Sequence, residues 1–145
     1  MKEYHIKNTF KREWRKKILH WYSLNKRDLP WRRSENQSFY RIWVSEIMLQ
    51  QTQVSVVIPF YNKFIKKWPT LEHFFTAKLD DILLIWQGMG YYKRAHNLYK
   101  AKEILKKNKN FVINSNSLKK LPGIGEYTSC AISAILKDES CSVID

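Results

Sequence analysis

Glycine and proline are scarce in this chain. Four of each punctuate 145 residues, too few for a fold built from short strands and tight hairpins. Cysteine is scarcer still. Its two cysteines, Cys130 and Cys141, do not by themselves make a disulfide framework or a four-ligand metal site. Acidic side chains number 13 against 26 lysines and arginines, which leaves a net charge of +13. No apolar run approaches the roughly 20 residues that span a bilayer. The opening residues Met1-Lys2-Glu3-Tyr4-His5 carry no signal-peptide apolar region. These shortages exclude a membrane span, a secreted disulfide scaffold and a low-complexity tail.

The composition that remains is globular, with 44% apolar and 27% charged residues. The length is that of one ordinary domain. A compact chain this basic repels itself, so the charge suits a polyanionic partner: nucleic acid first, an anionic membrane surface second. Long segments of helical period lie between the few breakers and predict an all-α fold. Asn8 or Thr9 can cap a first helix running to about Lys26, with Phe10, Trp14, Ile18 and Trp21 or Tyr22 along one stripe. Pro30 breaks the chain. Helices are predicted over about 39–49, 52–68 (with Pro59 kinking it or near its start), 71–76, 78–86, 91–107, 115–120 and 126–137. No strand and no internal repeat stands out.

The charge is uneven. Residues 1–33 carry 11 basic and 3 acidic side chains, and residues 93–109 carry 7 and 1. Trp14, Trp21, Tyr22, Trp31, Tyr91, Tyr92 and Tyr99 are interleaved with them, a mixture suited to phosphate contact and base stacking. A solvated helix face over an aromatic core is the alternative.

Two features carry chemistry. Leu121-Pro-Gly-Ile-Gly-Glu-Tyr-Thr128 reads as a helix–hairpin–helix. Its glycines permit positive φ and close approach of a ligand, and the following helix N-terminus offers amides to a phosphate. An ordinary turn between helices remains open. The second feature is Glu46, the only charged residue from Ile42 to Tyr61. On a largely apolar helix its pKa should rise, which suits a general acid; a buried structural glutamate is the alternative. Gln50, Gln51 and Gln53 follow as neutral groups able to contact bases.

At these residues the chain resembles the helix–hairpin–helix DNA glycosylases, specifically those that remove adenine mispaired with guanine or 8-oxoguanine. The matching stretches are Leu-Pro-Trp-Arg at 29–32, Trp-Val-Ser-Glu-Ile-Met-Leu-Gln-Gln-Thr-Gln-Val at 43–54, Trp-Gln-Gly-Met-Gly-Tyr-Tyr-Lys-Arg-Ala at 86–95, Leu-Pro-Gly-Ile-Gly-Glu-Tyr-Thr at 121–128 and Val-Ile-Asp at 143–145. The resemblance implies Glu46 as the acid that protonates adenine and Asp145 as the carboxylate that stabilises or traps the sugar cation, with Tyr127 beside it. It implies Gln50 and Tyr91 as wedges in the base stack, and Gln51 and Arg32 as further DNA contacts. Gly123, Ile124 and Gly125 become the phosphate-binding hairpin, with a possible monovalent cation. In the related endonuclease III-type glycosylase/lyases a lysine occupies the position of Tyr127, and tyrosine cannot form its Schiff base.

The family pattern continues beyond Asp145 with Gly-Asn-Val and further helices. Those helices carry four cysteines for a [4Fe-4S] cluster and lead to an 8-oxoguanine recognition domain. The expectation is a bundle lobe at 31–139, an N-terminal helix (1–30) of a second, iron–sulfur lobe that is largely missing, and a return segment starting at 140–145. Cluster ligands are then absent, since Cys130 and Cys141 lie in the wrong segment, and Trp14 and its neighbours are uncovered. The implied partner is double-stranded DNA with A·G or A·8-oxoguanine mispairs, met by a monomer in the cytoplasm (the bacterial nucleoid) or another DNA-containing compartment, with no membrane role. A catalytically inactive DNA-binding remnant and an endonuclease III-type glycosylase/lyase are the alternative readings.

Overall fold

The computed structural model describes the backbone of residues 2–141 and the side chains of residues 8–141. Eight α-helices are described: α1 (Lys2–Asn25), α2 (Phe39–Leu49), α3 (Val54–Lys67), α4 (Leu71–Phe74), α5 (Leu79–Trp86), α6 (Lys93–Lys107), α7 (Ser115–Leu118) and α8 (Glu126–Lys137). Two short 3-10 turns, Pro30–Arg32 and Ser34–Asn36, lead from α1 into α2. No strand occurs among the described residues, so the all-α expectation holds.

Side-chain caps set several helix starts. Ser38 accepts from the Arg41 amide, Thr70 from the His73 amide and Asn114 from the Ser117 amide. The first helix departs from expectation. It does not begin at Asn8 or Thr9 but runs continuously from Lys2, because residues 2–7 contain neither glycine nor proline to stop it. Pro59 lies inside α3. It leaves the Ser55 carbonyl without its helical donor on an exposed face, where water can serve.

α2 is the central helix and packs against α3, α6 and α8. Its residues Tyr40, Ile42, Trp43, Val44, Ile47 and Met48 are buried. Aromatic rings fill the space between α2, α3 and α4. Phe64, Trp68 and Phe74 meet one another with centroids 4.8–5.7 Å apart, and the Tyr40 hydroxyl donates to the Trp68 carbonyl at 2.7 Å. Edge-on ring contacts of this kind add about 0.5–1.5 kcal/mol each beyond the area they bury.

α6 closes the other side with Ala95, Leu98, Ala101 and Leu105 buried. Lys102, 1% exposed, donates from Nζ to the Ala77 carbonyl at 2.6 Å and meets Glu103 at 2.7 Å. Two of the seven cations counted on 93–109, Arg94 and Lys102, are therefore buried fasteners rather than surface charge. Trp31, grouped by sequence with the stacking aromatics, is likewise buried, edge-on to Tyr61 at 5.3 Å.

α1 lies outside this packing. Each of residues 8–25 is exposed, and Trp14 keeps 54% of its surface accessible. Its last turn approaches the bundle, where the Arg32 guanidinium lies 5.7 Å from the Tyr22 ring. Cys130 on α8 is joined to Cys141, which ties the chain after α8 back onto that helix. The sequence alone assigns these two cysteines no pairing. The turn at Asp138, in left-handed backbone, reverses the chain and brings the two sulfurs together.

Candidate active site and nucleic-acid interface

The end of α2 meets the start of α8, and the Pro30–Arg32 turn packs on α2. A cleft of about 1260 Å³ opens there, lined by Arg32, Glu46, Gln50, Gln51 and Tyr127 among others. The structure thus gathers five of the ten residues singled out by sequence.

Glu46 projects from the part of α2 that faces the cleft. It is flanked in sequence by buried Ser45 and Ile47, and no described group donates a hydrogen bond to it. Burial pushes its carboxyl above the ordinary carboxylate value, and the positive charge of Arg32 pulls more weakly the other way. A carboxyl in that state holds a proton readily and can pass it to a base placed in the cleft. Tyr127, exposed at the first turn of α8, lines the same cleft. Asp145 lies outside the described residues.

The hairpin between α7 and α8 is anchored by Leu121 and Ile124, both buried. Ile124 can therefore offer a ligand its backbone and not its side chain. The two glycines differ. Gly123 has φ +81 and packs so closely that an added Cβ would sit 2.9 Å from the Asn97 Cβ. Gly125 has φ −90 and nothing within 4 Å of such a Cβ. The positive-φ expectation is met at Gly123 and corrected at Gly125, which instead keeps the entrance to α8 open for close approach. Glu126 at that entrance is neutralised by Lys119 at 2.6 Å.

The adjacent glutamines also divide. Gln50 turns inward and donates from Nε2 to the Gly123 carbonyl at 3.0 Å and to Thr128 Oγ1 at 3.2 Å. Gln51 is exposed, with φ 56. Tyr91, 60% exposed, has φ 50 on the loop between α5 and α6. Arg94 links these two loops and was missed by the sequence reading. It lies four residues before Leu98 in the buried register of α6, a signal that charge counting passed over.

Residues 44–137 match the HhH-GPD superfamily of base excision DNA repair proteins. The chain belongs to that family. Among HhH-GPD relatives, it is 44% identical over 124 residues to the adenine DNA glycosylase of Buchnera aphidicola subsp. Schizaphis graminum, covering 83% of this chain and 35% of the relative. It is 39% identical over 140 residues to the adenine DNA glycosylase of Rattus norvegicus, covering 90% and 27%. The chain thus spans between about a quarter and about a third of the length of the curated relatives it matches. A thermostable thymine-DNA glycosylase shares the fold, with TM-score 0.82 and 24% identity over 96% of this chain and 64% of that one.

The iron–sulfur cluster implied by the HhH-GPD resemblance does not fit the described residues. None of them form a group of three or more His, Cys, Asp or Glu that could hold a metal ion, and the two sulfurs are bonded to each other. The hairpin is different chemistry. Its Leu118, Leu121 and Gly123 carbonyls each accept one hydrogen bond, from Leu121, Ile124 and Gln50, and each keeps a second lone pair. Among the described residues, no helix is long and apolar enough to cross a membrane.

Proposed function

We propose that this chain removes adenine, mispaired with guanine or 8-oxoguanine, from double-stranded DNA by hydrolysing its N-glycosidic bond. The observation that carries the reading is Glu46, a carboxyl whose pKa burial raises, standing in an open cleft at the mouth of a helix–hairpin–helix. The names of the relatives, adenine DNA glycosylases, support the choice of base.

Departure of a purine leaves an oxocarbenium-like sugar, so the reaction needs one protonated and one ionised carboxyl. Glu46 supplies the proton to the leaving base. Asp145 is proposed as the carboxylate that faces the sugar cation, and Tyr127 as its neighbour. The base must first leave the stack, at a cost of a few kcal/mol that is smaller at a mispair. Tyr91 and Gln51 are exposed, Gln51 in the cleft lining, and fill the gap that the base leaves. Gln50, the wedge suggested by resemblance, is better suited to bracing them, since its amide is committed to the hairpin.

Gly123 and Gly125 present backbone amides to a phosphate, while the Ile124 amide closes the turn on the Leu121 carbonyl; the hairpin thus positions the duplex without reading its sequence. A monovalent cation on the hairpin carbonyls would tighten that turn; no step depends on it. Arg32 adds positive charge at the cleft edge. The protein acts as a monomer in a DNA-containing compartment, the cytoplasm or bacterial nucleoid.

The test is a duplex with one A·8-oxoguanine pair, assayed for binding and for adenine release. Release, with strand breakage only after hot alkali, is the expected result. Breakage without alkali would point to a lyase. Binding without release would replace the reading with a DNA-binding role alone.

A further inference from the structure

Arg94 counts among the cations of a basic segment, yet it is 7% exposed and points into the protein. Its Nη1 donates to the carbonyls of Gln50 at 2.5 Å, Met48 at 2.6 Å and Ile47 at 3.3 Å. These are carbonyls that the end of α2 leaves without helical partners. Its Nη2 donates to the Gly90 carbonyl at 3.2 Å, and Nε to the Tyr91 carbonyl at 3.4 Å. All three guanidinium nitrogens are engaged by backbone carbonyls, and the buried group is turned away from any phosphate at the surface. The rings of Trp86 and Tyr91 lie 5.5 and 5.4 Å from its Cζ, and Trp86 Nε1 also donates to the Gly90 carbonyl at 3.1 Å.

A second observation concerns the backbone. Among the described residues, Gln51 and Tyr91 are two of the three non-glycine residues with positive φ. Each directly follows a residue whose carbonyl Arg94 grips, Gln50 in one loop and Gly90 in the other. Left-handed backbone is unfavourable for an L residue with a side chain, and it persists only where its surroundings hold it. Both side chains are exposed, and Gln51 lines the cleft.

We propose that Arg94 is a positioning residue for DNA: it locks Gln51 and Tyr91 in left-handed backbone and joins their loops, so that both side chains enter a base stack as one rigid unit. The idea rests on the reading that this face meets duplex DNA. Arginine is required because its planar fork reaches carbonyls in two loops at once, whereas a lysine ammonium is a single point.

The experiment uses the full chain and a duplex with 2-aminopurine beside an A·G mispair, with a fully paired duplex as control. Wild type should raise the fluorescence of the mispaired duplex as the neighbouring base unstacks. Arg94→Lys should bind the fully paired duplex as wild type does, because the phosphate contacts are untouched, and should lose most of the fluorescence rise. No rise with wild type would overturn the wedging reading itself. A rise with Arg94→Lys equal to wild type would overturn the role of Arg94 alone.

Since a buried arginine is replaced, a measurement on unaltered protein decides the case should the variant fail to fold. Native-state hydrogen exchange of wild type should show the amides of 50–52 and 90–92 opening together, with one shared urea dependence. Independent opening of the two loops would overturn the proposal.

Discussion

Gln50 donates to the Gly123 carbonyl at 3.0 Å, across 73 residues of sequence. That bond, with its partner to Thr128, pins the end of the helix carrying Glu46 to the hairpin. Gln50→Ala should cost about 1–2 kcal/mol in urea unfolding, since it strands a half-buried carbonyl and hydroxyl. Gln51→Ala, one residue on and exposed, should stay within about 0.5 kcal/mol of wild type. Equal losses at the two positions would show that Gln50 is no brace.

Glu46→Gln should abolish adenine release while leaving mispair binding nearly intact, because the amide keeps the shape and lacks the transferable proton. General acid catalysis is typically worth about 10²–10⁴-fold. The same variant tests the raised pKa. A carboxyl that holds its proton more tightly when folded stabilises the fold fully below its ordinary value of 4.5, and that contribution is lost as pH rises through the raised value. The neutral glutamine has no such dependence. Glu46→Gln should therefore be more stable than wild type at pH 7.5, with the gap closing below pH 4.5. A gap independent of pH would mean that Glu46 is not perturbed by burial.

The hairpin glycines should respond in opposite ways. Gly123→Ala combines φ +81 with a Cβ contact of 2.9 Å to Asn97, and should cost about 1–3 kcal/mol by thermal unfolding. Gly125→Val should leave the melting temperature nearly unchanged, since its φ is ordinary and its surroundings are open. It should weaken duplex binding by crowding the α8 amides. Unaltered binding by Gly125→Val would move the phosphate site elsewhere.

Reduction of Cys130–Cys141 opens a loop of 11 residues' separation, and loop entropy puts the loss at about 2–3 kcal/mol. Glu139 still holds the segment through Ser115, whose hydroxyl donates to it at 2.5 Å. Urea unfolding with and without dithiothreitol measures the difference. Identical curves would show that Glu139 and its neighbours suffice.

Duplex affinity should fall steeply with salt. About six phosphate contacts correspond to a log–log slope near −5. A flat dependence would contradict an interface built on the +13 net charge.

Much of the helical pattern was legible locally. The helices expected over about 39–49 and 126–137 are found as Phe39–Leu49 and Glu126–Lys137, the first from its apolar periodicity and the second from the hairpin glycines that mark its start. Thr70 likewise announced its short helix. Glu46 stood out because a lone charge on an apolar helix is itself a local signal, and its partial burial follows from its place in the cleft wall. The start of α1 was misplaced because Asn8 and Thr9 are permissive caps. A cap is used only where the preceding residues cannot continue the helix.

What local sequence determined was therefore the helices, the hairpin turn and the acidic residue among apolar ones, all properties of neighbouring residues and their periodicity. What only the tertiary structure decided was partnership. Gln50 and Gln51 are chemically identical neighbours, and the proximity of Gly123 and Thr128 turns one inward and leaves the other exposed. Arg94 counts as surface charge until the end of α2 brings it unpaired carbonyls, which a buried cation satisfies better than water that cannot enter. Cys130 and Cys141 are separated by a helix turn and a reversal whose left-handed residue, Asp138, no pattern announced. Each of these outcomes depends on which groups distant in sequence arrive within hydrogen-bonding or bonding distance, and periodicity along a chain carries no record of that.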